Sequence, residues 1–267
     1  MDDGGRRFPS PPTPPDAAAR ERAPRSLGVR ILLGLAAAVV FAALIGLGTW
    51  QVERLAWKED LIARVSANLS AAPEPAPGAT GWTPRPSDAY RRVVATGTFL
   101  HERETLVQAV TALGAGWWVL TPLRRADGTL LLVNRGFVPN DRRDPATRPL
   151  GRTTGETTVT GLLRLTEPGG GFLRANDPAA GRWTSRDVAA IAASVLPGEA
   201  VAPYFVDADA TPVPGGLPVG GLTVVAFRNH HLVYALTWYG LALLLAGGMA
   251  YAVRDEWRRS RAGRGHR

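Results

Sequence analysis

The sequence contains no cysteine. Disulfide bonds, thiol redox relays, copper sites built on cysteine and zinc ribbons are therefore excluded, and a domain outside the cytoplasm would have to be stabilised by its own core. Lysine is almost absent as well, because Lys58 is the single lysine against thirty arginines. This usage is typical of a GC-rich bacterial coding sequence.

Motifs for catalysis are also missing. There is no Gly-x-Ser-x-Gly elbow and no phosphate-binding glycine loop with a lysine. Carboxylates are common, but no spacing among them indicates an acid–base pair. The sequence therefore predicts a protein that is not an enzyme. A membrane-anchored enzyme acting on a substrate at the outer face is the rival that this lack of a nucleophile disfavours.

Charge is absent from two long apolar runs near the two ends of the chain. Residues 31–49 form nineteen uncharged positions and residues 232–253 form twenty-two. Each run is long enough to cross a hydrocarbon core of about 30 Å as a helix. The stretch between them is polar enough to fold in water, so we expect a membrane protein with one domain held between two transmembrane helices.

The basic residues indicate how the chain is oriented. Of the net charge of +8, the tails 1–30 and 254–267 carry twelve arginines against six acids, which leaves the rest of the chain nearly neutral. By the positive-inside rule, both termini lie in the cytoplasm and the central domain is extracytoplasmic. Nucleic acid is not an expected partner, because the domain has no basic stripe with interleaved aromatic residues. Thirty residues precede the first run, so it is interpreted as an uncleaved anchor.

Composition then divides the chain into six segments. They are a disordered, Pro-rich cytoplasmic leader (1–28), a first transmembrane helix (29–50), a juxtamembrane helix (51–72), an extracytoplasmic β-rich domain (73–228), a second transmembrane helix (229–253) and a basic cytoplasmic tail (254–267). In the first span the small residues Gly34, Ala38, Ala42 and Gly46 predict a face for packing against the second span.

The central domain has the pattern of short strands. Stretches rich in β-branched and aromatic residues alternate with turn signals, and Asp127-Gly128 indicates a hairpin. The predicted strands are 90–100, 104–110, 116–124, 129–138, 157–165 and 204–206, with one helix at 185–196. The expected fold is α+β, a small antiparallel sheet or partly open barrel with one or two helices.

Histidines are the best candidates for binding chemistry. His101 is expected to be a solvated side chain after a strand, and His266 in the tail is given no role. The pair His230–His231 begins the second span. On a helix His231, Tyr234 and Trp238 share one face, where an imidazole could ligate haem iron between aromatic walls. The alternative, that these residues are interfacial anchors, is favoured by spacing alone.

Two further polar residues allow more than one interpretation. Asn229 directly precedes the histidine pair and is expected to cap the second span through its side-chain oxygen. Arg135 lies at the end of a predicted strand. It is either a surface arginine at a turn or a cation that pairs with a carboxylate, such as a haem propionate or an acid of a partner protein.

Four segments, in order along the chain, resemble the Surfeit locus protein 1 family of cytochrome oxidase assembly factors. They are 47–58 (LGTWQVERLAWK), 90–99 (YRRVVATGTF), 116–139 (from GWWVLTPL to LVNRGFVP) and 229–240 (NHHLVYALTWYG). The first fits the family's Gly-x-Trp-Gln-x-x-Arg-x-x-Trp-Lys run. Phe137 stands where the family commonly has tryptophan, and residues 167–220 match only loosely.

The resemblance implies an assembly factor for a haem–copper cytochrome c oxidase that binds haem a and assists its insertion into the catalytic subunit. His231 fits the family's histidine in its spacing from Asn229 and Tyr234, so it would be the axial iron ligand, with Tyr234 and Trp238 as walls. The implied partners are the oxidase catalytic subunit, haem a synthase and the lipid membrane, and the implied location is the cell membrane of a bacterium. The alternative function is a scaffold that stabilises assembly intermediates without binding haem.

Overall fold

The computed structural model of the chain describes residues 26–171 and 174–262. It forms two compact units: a helical unit from residues 26–54 and 230–262, and a β unit from Leu55–Asn229. Nearly all of the predicted disordered leader 1–28 lies outside the described residues, as does the end of the basic tail with His266.

Two long helices begin and end the described chain. Helix α1 is Leu27–Ser70 and helix α3 is His231–Ala262. Helix α1 contains no proline and ends before Pro73, which cannot continue a helix. Both are long and apolar enough to cross a membrane, and within their most apolar windows only 6% and 11% of residues are buried. A core helix of a water-soluble protein would cover such side chains, so these two helices are candidates for lipid-facing spans.

Within the helical unit, α1 and α3 pack along a seam that the sequence prediction did not identify. Covered positions recur at spacings of three, four or seven residues, as in left-handed helix pairs. They include Gly34, Ala37, Leu44, Gly48 and Gln51 on α1, and His231, Ala235, Trp238, Tyr239, Ala242 and Leu245 on α3. The predicted small-residue face is wrong, because Ala38, Ala42 and Gly46 are exposed. Such Ala-rich helices offer several small faces, and periodicity cannot choose among them.

The two helices approach each other closely at Gly48. A Cβ atom built on this glycine would lie 2.6 Å from the ring of Tyr239, so only glycine permits the contact. Next to it, the hydroxyl groups of Thr49 and Tyr239 are 3.2 Å apart and share a hydrogen bond. This pair fixes the register of α1 against α3 where His231 begins the second helix.

In its described residues the β unit contains nine strands, one complete α-helix and the C-terminal end of α1, and its longer strands match the six predicted ones. The seven strands of the main sheet are β1 (Glu74–Pro75), β2 (Arg92–Phe99), β3 (Thr105–Thr111), β4 (Gly114–Arg124), β5 (Leu130–Pro139), β6 (Glu156–Leu165) and β9 (Val201–Ala208). A small hairpin is formed by β7 (Gly170–Gly171) and β8 (Arg174–Ala175), and helix α2 is Val188–Val195. The predicted hairpin turn is confirmed, since Gly128 N–H donates to the carbonyl of Arg125.

The main sheet closes into a five-stranded barrel in the order β2-β6-β9-β5-β4. Closure comes from a short antiparallel pairing of β2 with β4, in which Thr98 faces Arg124 and Phe99 faces Leu123. The expectation of an antiparallel sheet or partly open barrel therefore needs correction: the barrel is closed, and β9 pairs in parallel with β5. Two residue pairs decide the closure, and no local sequence pattern specifies which distant strands will meet.

Two hydrophobic clusters share the strands of this barrel. The inner cluster takes alternate residues from all five barrel strands, including Val93, Leu123, Val133, Leu163 and Tyr204. The outer cluster packs α2 and Trp183 over the opposite faces of β5 and β9. Strand β5 is thus buried on both faces, which explains why 130–133 is a continuous apolar run rather than an alternating one.

A β-bulge interrupts β5 just before its end. The pairing with β4 shifts between Trp118 and Leu120, so that two residues, Arg135 and Gly136, lie opposite Val119. Gly136 has φ +130°, and a Cβ there would lie 2.2 Å from the carbonyl oxygen of Val219. Only glycine fits this conformation and this approach, and the bulge places Arg135 at the end of the barrel interior.

Candidate functional site

His231, the predicted iron ligand, makes a specific contact within the helical unit. It is the first residue of α3, and its Nδ1 lies 2.7 Å from Oε1 of Gln51 on α1. Gln51 is buried and His231 is half-buried. An amide oxygen can only accept, so the ring donates through Nδ1–H.

This hydrogen bond has a chemical consequence for the imidazole. A neutral ring with its proton on Nδ1 carries its lone pair on Nε2, which is the form that binds a metal. An acceptor opposite the other ring nitrogen is also the usual support of a histidine that ligates a metal, because it fixes the tautomer and the ring orientation. His231 is therefore prepared to act as a ligand through Nε2.

The two predicted wall residues differ in their surroundings. Trp238 is half-buried on the packed seam, two helical turns beyond His231, whereas Tyr234 is 55% exposed. The three side chains share a broad face of α3, but the structure brings only Trp238 into the seam that contains His231. In the described parts of the chain no three His, Asp or Glu side chains converge as a metal site. A metal at His231 would need its other ligands from elsewhere.

The residues before His231 correct one prediction. The amide of Tyr234 donates to the carbonyl of His230 at 3.2 Å, so His230 holds the cap position of α3. The side-chain oxygen of Asn229 is buried and accepts no hydrogen bond in the described structure. Asn229 is therefore not the cap, because the helix begins one residue later than expected.

Gln51 is the residue of the candidate site that the sequence did not predict. It stands in the segment that carried the family resemblance, but no role was assigned to it. The signal was available: a buried amide at the end of an apolar run needs a hydrogen-bond partner, and the only strong candidates near the other span were its histidines. The pair could not be predicted because the sequence does not show which residues of α1 lie opposite which residues of α3.

A second polar group lies in the β unit, at the end of the barrel interior. His101 was predicted to be solvated, and this is wrong because the residue is buried. Of the two interpretations of Arg135, the surface arginine is wrong because this residue is buried as well, whereas the pairing with a carboxylate of a ligand or partner stays a prediction. The guanidinium of Arg135 donates to the carbonyl of Gly151 and, at 3.4 Å, to Nδ1 of His101. It also stacks over the ring of Phe99, with 4.9 Å from Cζ to the ring centroid. Nε2 of His101 lies 2.9 Å from the carbonyl of Thr153, to which it donates.

Burial changes the titration of both groups. Desolvation lowers the pKa of Arg135 to about 10, while the nearby Glu104 opposes this and Arg148 and Arg152 add to it. Desolvation also lowers the pKa of His101, further lowered by Arg135 and Arg152, although its bond to Thr153 acts the other way. His101 is consequently neutral at pH 7, with its proton on Nε2.

The lowered pKa of His101 predicts a pH-dependent stability of the β unit. Protonation favours the unfolded chain, where the pKa is near 6.5. The stabilisation that comes from keeping His101 neutral is therefore complete above about pH 6.5. It is lost as the pH falls toward the lower pKa that His101 has in the folded protein. Urea unfolding of the detergent-purified protein should show the free energy of unfolding decrease between about pH 7 and pH 5.

The His101→Gln variant should show a flatter dependence in this range, because it removes the titrating ring. His230→Gln is the matched control, since His230 is exposed and should leave the profile unchanged. An identical slope in the parent and the His101 variant would contradict the assignment.

A third polar group lies outside the barrel and centres on Asp207 of β9. This carboxylate accepts hydrogen bonds from the side chains of Asn134 (2.7 Å), Arg164 (2.7 Å), Arg186 (3.1 Å) and Thr223 (2.9 Å). Arg186 also pairs with Glu167. Burial alone would raise the pKa of Glu167, but the hydrogen bonds and charge of Arg186 hold it below its usual value. The group ties β5, β6 and β9 together and is structural.

Comparison with known proteins now identifies the chain. A profile described as the SURF1 family matches residues 38–243, which include Gln51, the whole barrel and His231. The chain belongs to the SURF1 family. The SURF1-like protein of Monosiga brevicollis is 37% identical over 233 residues, covering 80% of this chain and 85% of that protein. Surfeit locus protein 1 of Homo sapiens is 39% identical over 219 residues, covering 74% and 69%.

A more distant SURF1-like protein, from Drosophila melanogaster, is 33% identical over 229 residues and covers 79% of this chain and 74% of its own. These relatives are eukaryotic, so the bacterial origin inferred from arginine usage stays a prediction. Because the SURF1 match extends from α1 through the barrel to α3, both apolar helices belong to the family's shared part.

Proposed function

We propose that this SURF1 protein is a membrane-anchored assembly factor for a haem–copper cytochrome c oxidase and that it binds haem a as cargo. Family membership supports the role in oxidase assembly. The observation that supports haem binding is the hydrogen bond from Nδ1 of His231 to Gln51, which leaves Nε2 available.

The residues present fit a haem better than a bare metal ion. A porphyrin already supplies four nitrogen ligands to its iron, so the protein needs to add only an axial group. His231 offers one such ligand, and no further His, Asp or Glu ligands are gathered around it among the described residues. Trp238 on the seam and the exposed ring of Tyr234 give flat apolar surface beside it. A single neutral ligand is also compatible with release, which a carrier requires.

The proposed topology follows from the apolar helices and the arginine-rich tails. Helices α1 and α3 span the membrane, both termini are cytoplasmic, and the β unit is extracytoplasmic. His231 then lies near the outer membrane surface. The partners we propose are the oxidase catalytic subunit, which receives the haem, and haem a synthase, which provides it; the protein itself is not an enzyme.

The test combines deletion with purification. Cells lacking this chain should lose most of their cytochrome oxidase activity and membrane haem a, and a plasmid copy should restore both. The full-length protein purified from cells that make haem a should carry its absorption spectrum. Unchanged oxidase activity after deletion would contradict the assembly role.

The same experiment distinguishes the haem carrier from the alternative function, a scaffold that does not bind haem. A scaffold that stabilises assembly intermediates would also be needed for oxidase activity, but it would be purified without pigment. Loss of oxidase together with a colourless protein, from cells with normal haem a synthesis, would favour the scaffold and reject the haem carrier.

A further inference from the structure

A cavity of about 160 Å³ lies at the end of the barrel interior in the β unit. Its walls include Phe99 and Val133 from the inner cluster, and the segment 211–214 forms part of its lining. Two polar side chains of special interest line it as well, Arg135 and Thr153. All of these residues belong to the β unit, whereas His231 belongs to the helical unit.

Arg135 is a buried cation without a carboxylate partner. The residue is only 4% exposed. Within the described structure its guanidinium forms no ion pair with Asp or Glu. Its contacts are a backbone carbonyl, an imidazole nitrogen and an aromatic face. These engage two of the five N–H donors of a guanidinium. Buried charges in proteins are normally paired, so an unpaired one that lines a cavity indicates an anionic ligand.

The charges around Arg135 do not supply the missing anion. Glu104, whose charge acts on Arg135, is already engaged in a buried ion pair with Arg148. Arg152 adds a further positive charge. Asp209 also lines the cavity, but its Oδ1 accepts from the amide of Thr211 at 3.0 Å, within its own turn. Neither carboxylate therefore forms an ion pair with Arg135, and Arg148 and Arg152 add positive charge near it.

Thr153 provides a second, independent sign of a ligand. Its Oγ1 is buried and has no hydrogen-bond partner in the described structure, although its hydroxyl can donate. His101 holds the carbonyl of the same residue at 2.9 Å, which fixes its position beside Arg135. A buried hydroxyl without a partner is costly unless a ligand or water satisfies it.

We propose that this cavity is a binding site for a small oxyanion, a free carboxylate or phosphate, held by the guanidinium of Arg135 and the hydroxyl of Thr153. The volume corresponds to roughly five water molecules, which suits an acetate- or phosphate-sized ion. It is below the several hundred Å³ of sites for drug-sized ligands, so a porphyrin does not fit. A planar guanidinium is well shaped to bind either oxyanion with two parallel hydrogen bonds.

The experiment measures anion binding to the full-length protein in detergent. Acetate and inorganic phosphate are titrated separately in place of chloride at constant ionic strength and pH. Binding to the folded state should raise the unfolding temperature, and above the dissociation constant the rise should follow the logarithm of the anion concentration. Saturation-transfer NMR of the acetate methyl group gives a direct measurement. The two titrations distinguish a carboxylate site from a phosphate site.

Two variants test the assigned residues. Arg135→Gln should weaken binding by about tenfold or more, because it removes a charge-assisted hydrogen bond. Thr153→Val should weaken it by roughly threefold, as expected for one neutral hydrogen bond. It should still fold, since its lost hydroxyl has no partner. The Thr153 variant therefore keeps the test decisive if Arg135→Gln is unstable.

The matched control is Arg125→Gln. Arg125 is a half-buried arginine that also donates to backbone carbonyls, those of Ala76 and Pro77, but it does not line the cavity. Its variant should bind acetate or phosphate within roughly twofold of the parent. His231→Ala should also leave anion binding unchanged, so a failure of the haem proposal would not affect this result. Absence of saturable binding of either anion to the parent would overturn the proposal, as would parental affinity in either the Arg135 or the Thr153 variant.

Discussion

The Asp207→Ala variant should lose about 3–5 kcal/mol of the free energy of unfolding, which is a large part of the stability of a domain of this size. Asp207 is 2% exposed and accepts hydrogen bonds from both Arg164 and Arg186. Removing it leaves these two arginines, which are themselves mostly buried, without their shared carboxylate. The midpoint of chemical denaturation, followed by tryptophan fluorescence, measures the loss.

Asp177→Ala is the matched control for this prediction. Asp177 also pairs with an arginine, Arg182, but both side chains are substantially exposed. A surface ion pair contributes about 0–1 kcal/mol, so the control should unfold near the parental midpoint. Equal midpoints for Asp207→Ala and the parent would show that the buried network does not stabilise the β unit.

Local patterns were sufficient to predict most elements of the fold. Strands β2 to β6 alternate or carry β-branched runs between clear turn signals, and the predicted and observed bounds differ by only a few residues. Helix α2 begins at Val188, because Asp187 accepts from the amide of Ala190 as its cap. The prediction placed this helix start three residues too early.

Which strands pair with which could not be predicted from the sequence. The closed barrel depends on the short contact between β2 and β4 and on β9 entering between β6 and β5. These are long-range choices, and each strand's pattern is compatible with several neighbours. The prediction consequently stopped at a sheet or a partly open barrel.

The buried polar residues were missed for a related reason. Arg135 lies near the end of a predicted strand and His101 follows one, and both stand near charged residues, which in most sequences indicates a surface. The bulge at Gly136 and the approach of residues 151–153 bury them instead, and neither feature has a local signature. Similarly, the family resemblance singled out His231 as a candidate ligand, whereas its partner Gln51, 180 positions away in the sequence, required the contact between the two helices.

The His231→Ala variant should be purified without haem a from cells in which the parent protein carries it. In the proposal His231 is the only axial ligand that the protein gives to the iron, so its replacement should remove almost all of the bound haem. The measurement is the haem a content per chain by absorption spectroscopy of the detergent-purified protein. His230→Ala is the matched control: it is the neighbouring histidine, its side chain is exposed, and its variant should retain parental haem content.

Gln51 provides a graded test of the same site, because it orients the iron-binding His231 without contacting the iron itself. Gln51→Leu removes the acceptor of the Nδ1 proton and should weaken haem binding by about 10–100-fold, whereas Gln51→Glu restores an acceptor and should recover much of the affinity. The absorption and electron spin resonance spectra of the bound haem report the axial ligand, so they distinguish loss of orientation from general destabilisation. Parental haem content in His231→Ala would reject His231 as the ligand. Equal affinities in Gln51→Leu and the parent would show that the Nδ1 hydrogen bond does not prepare it.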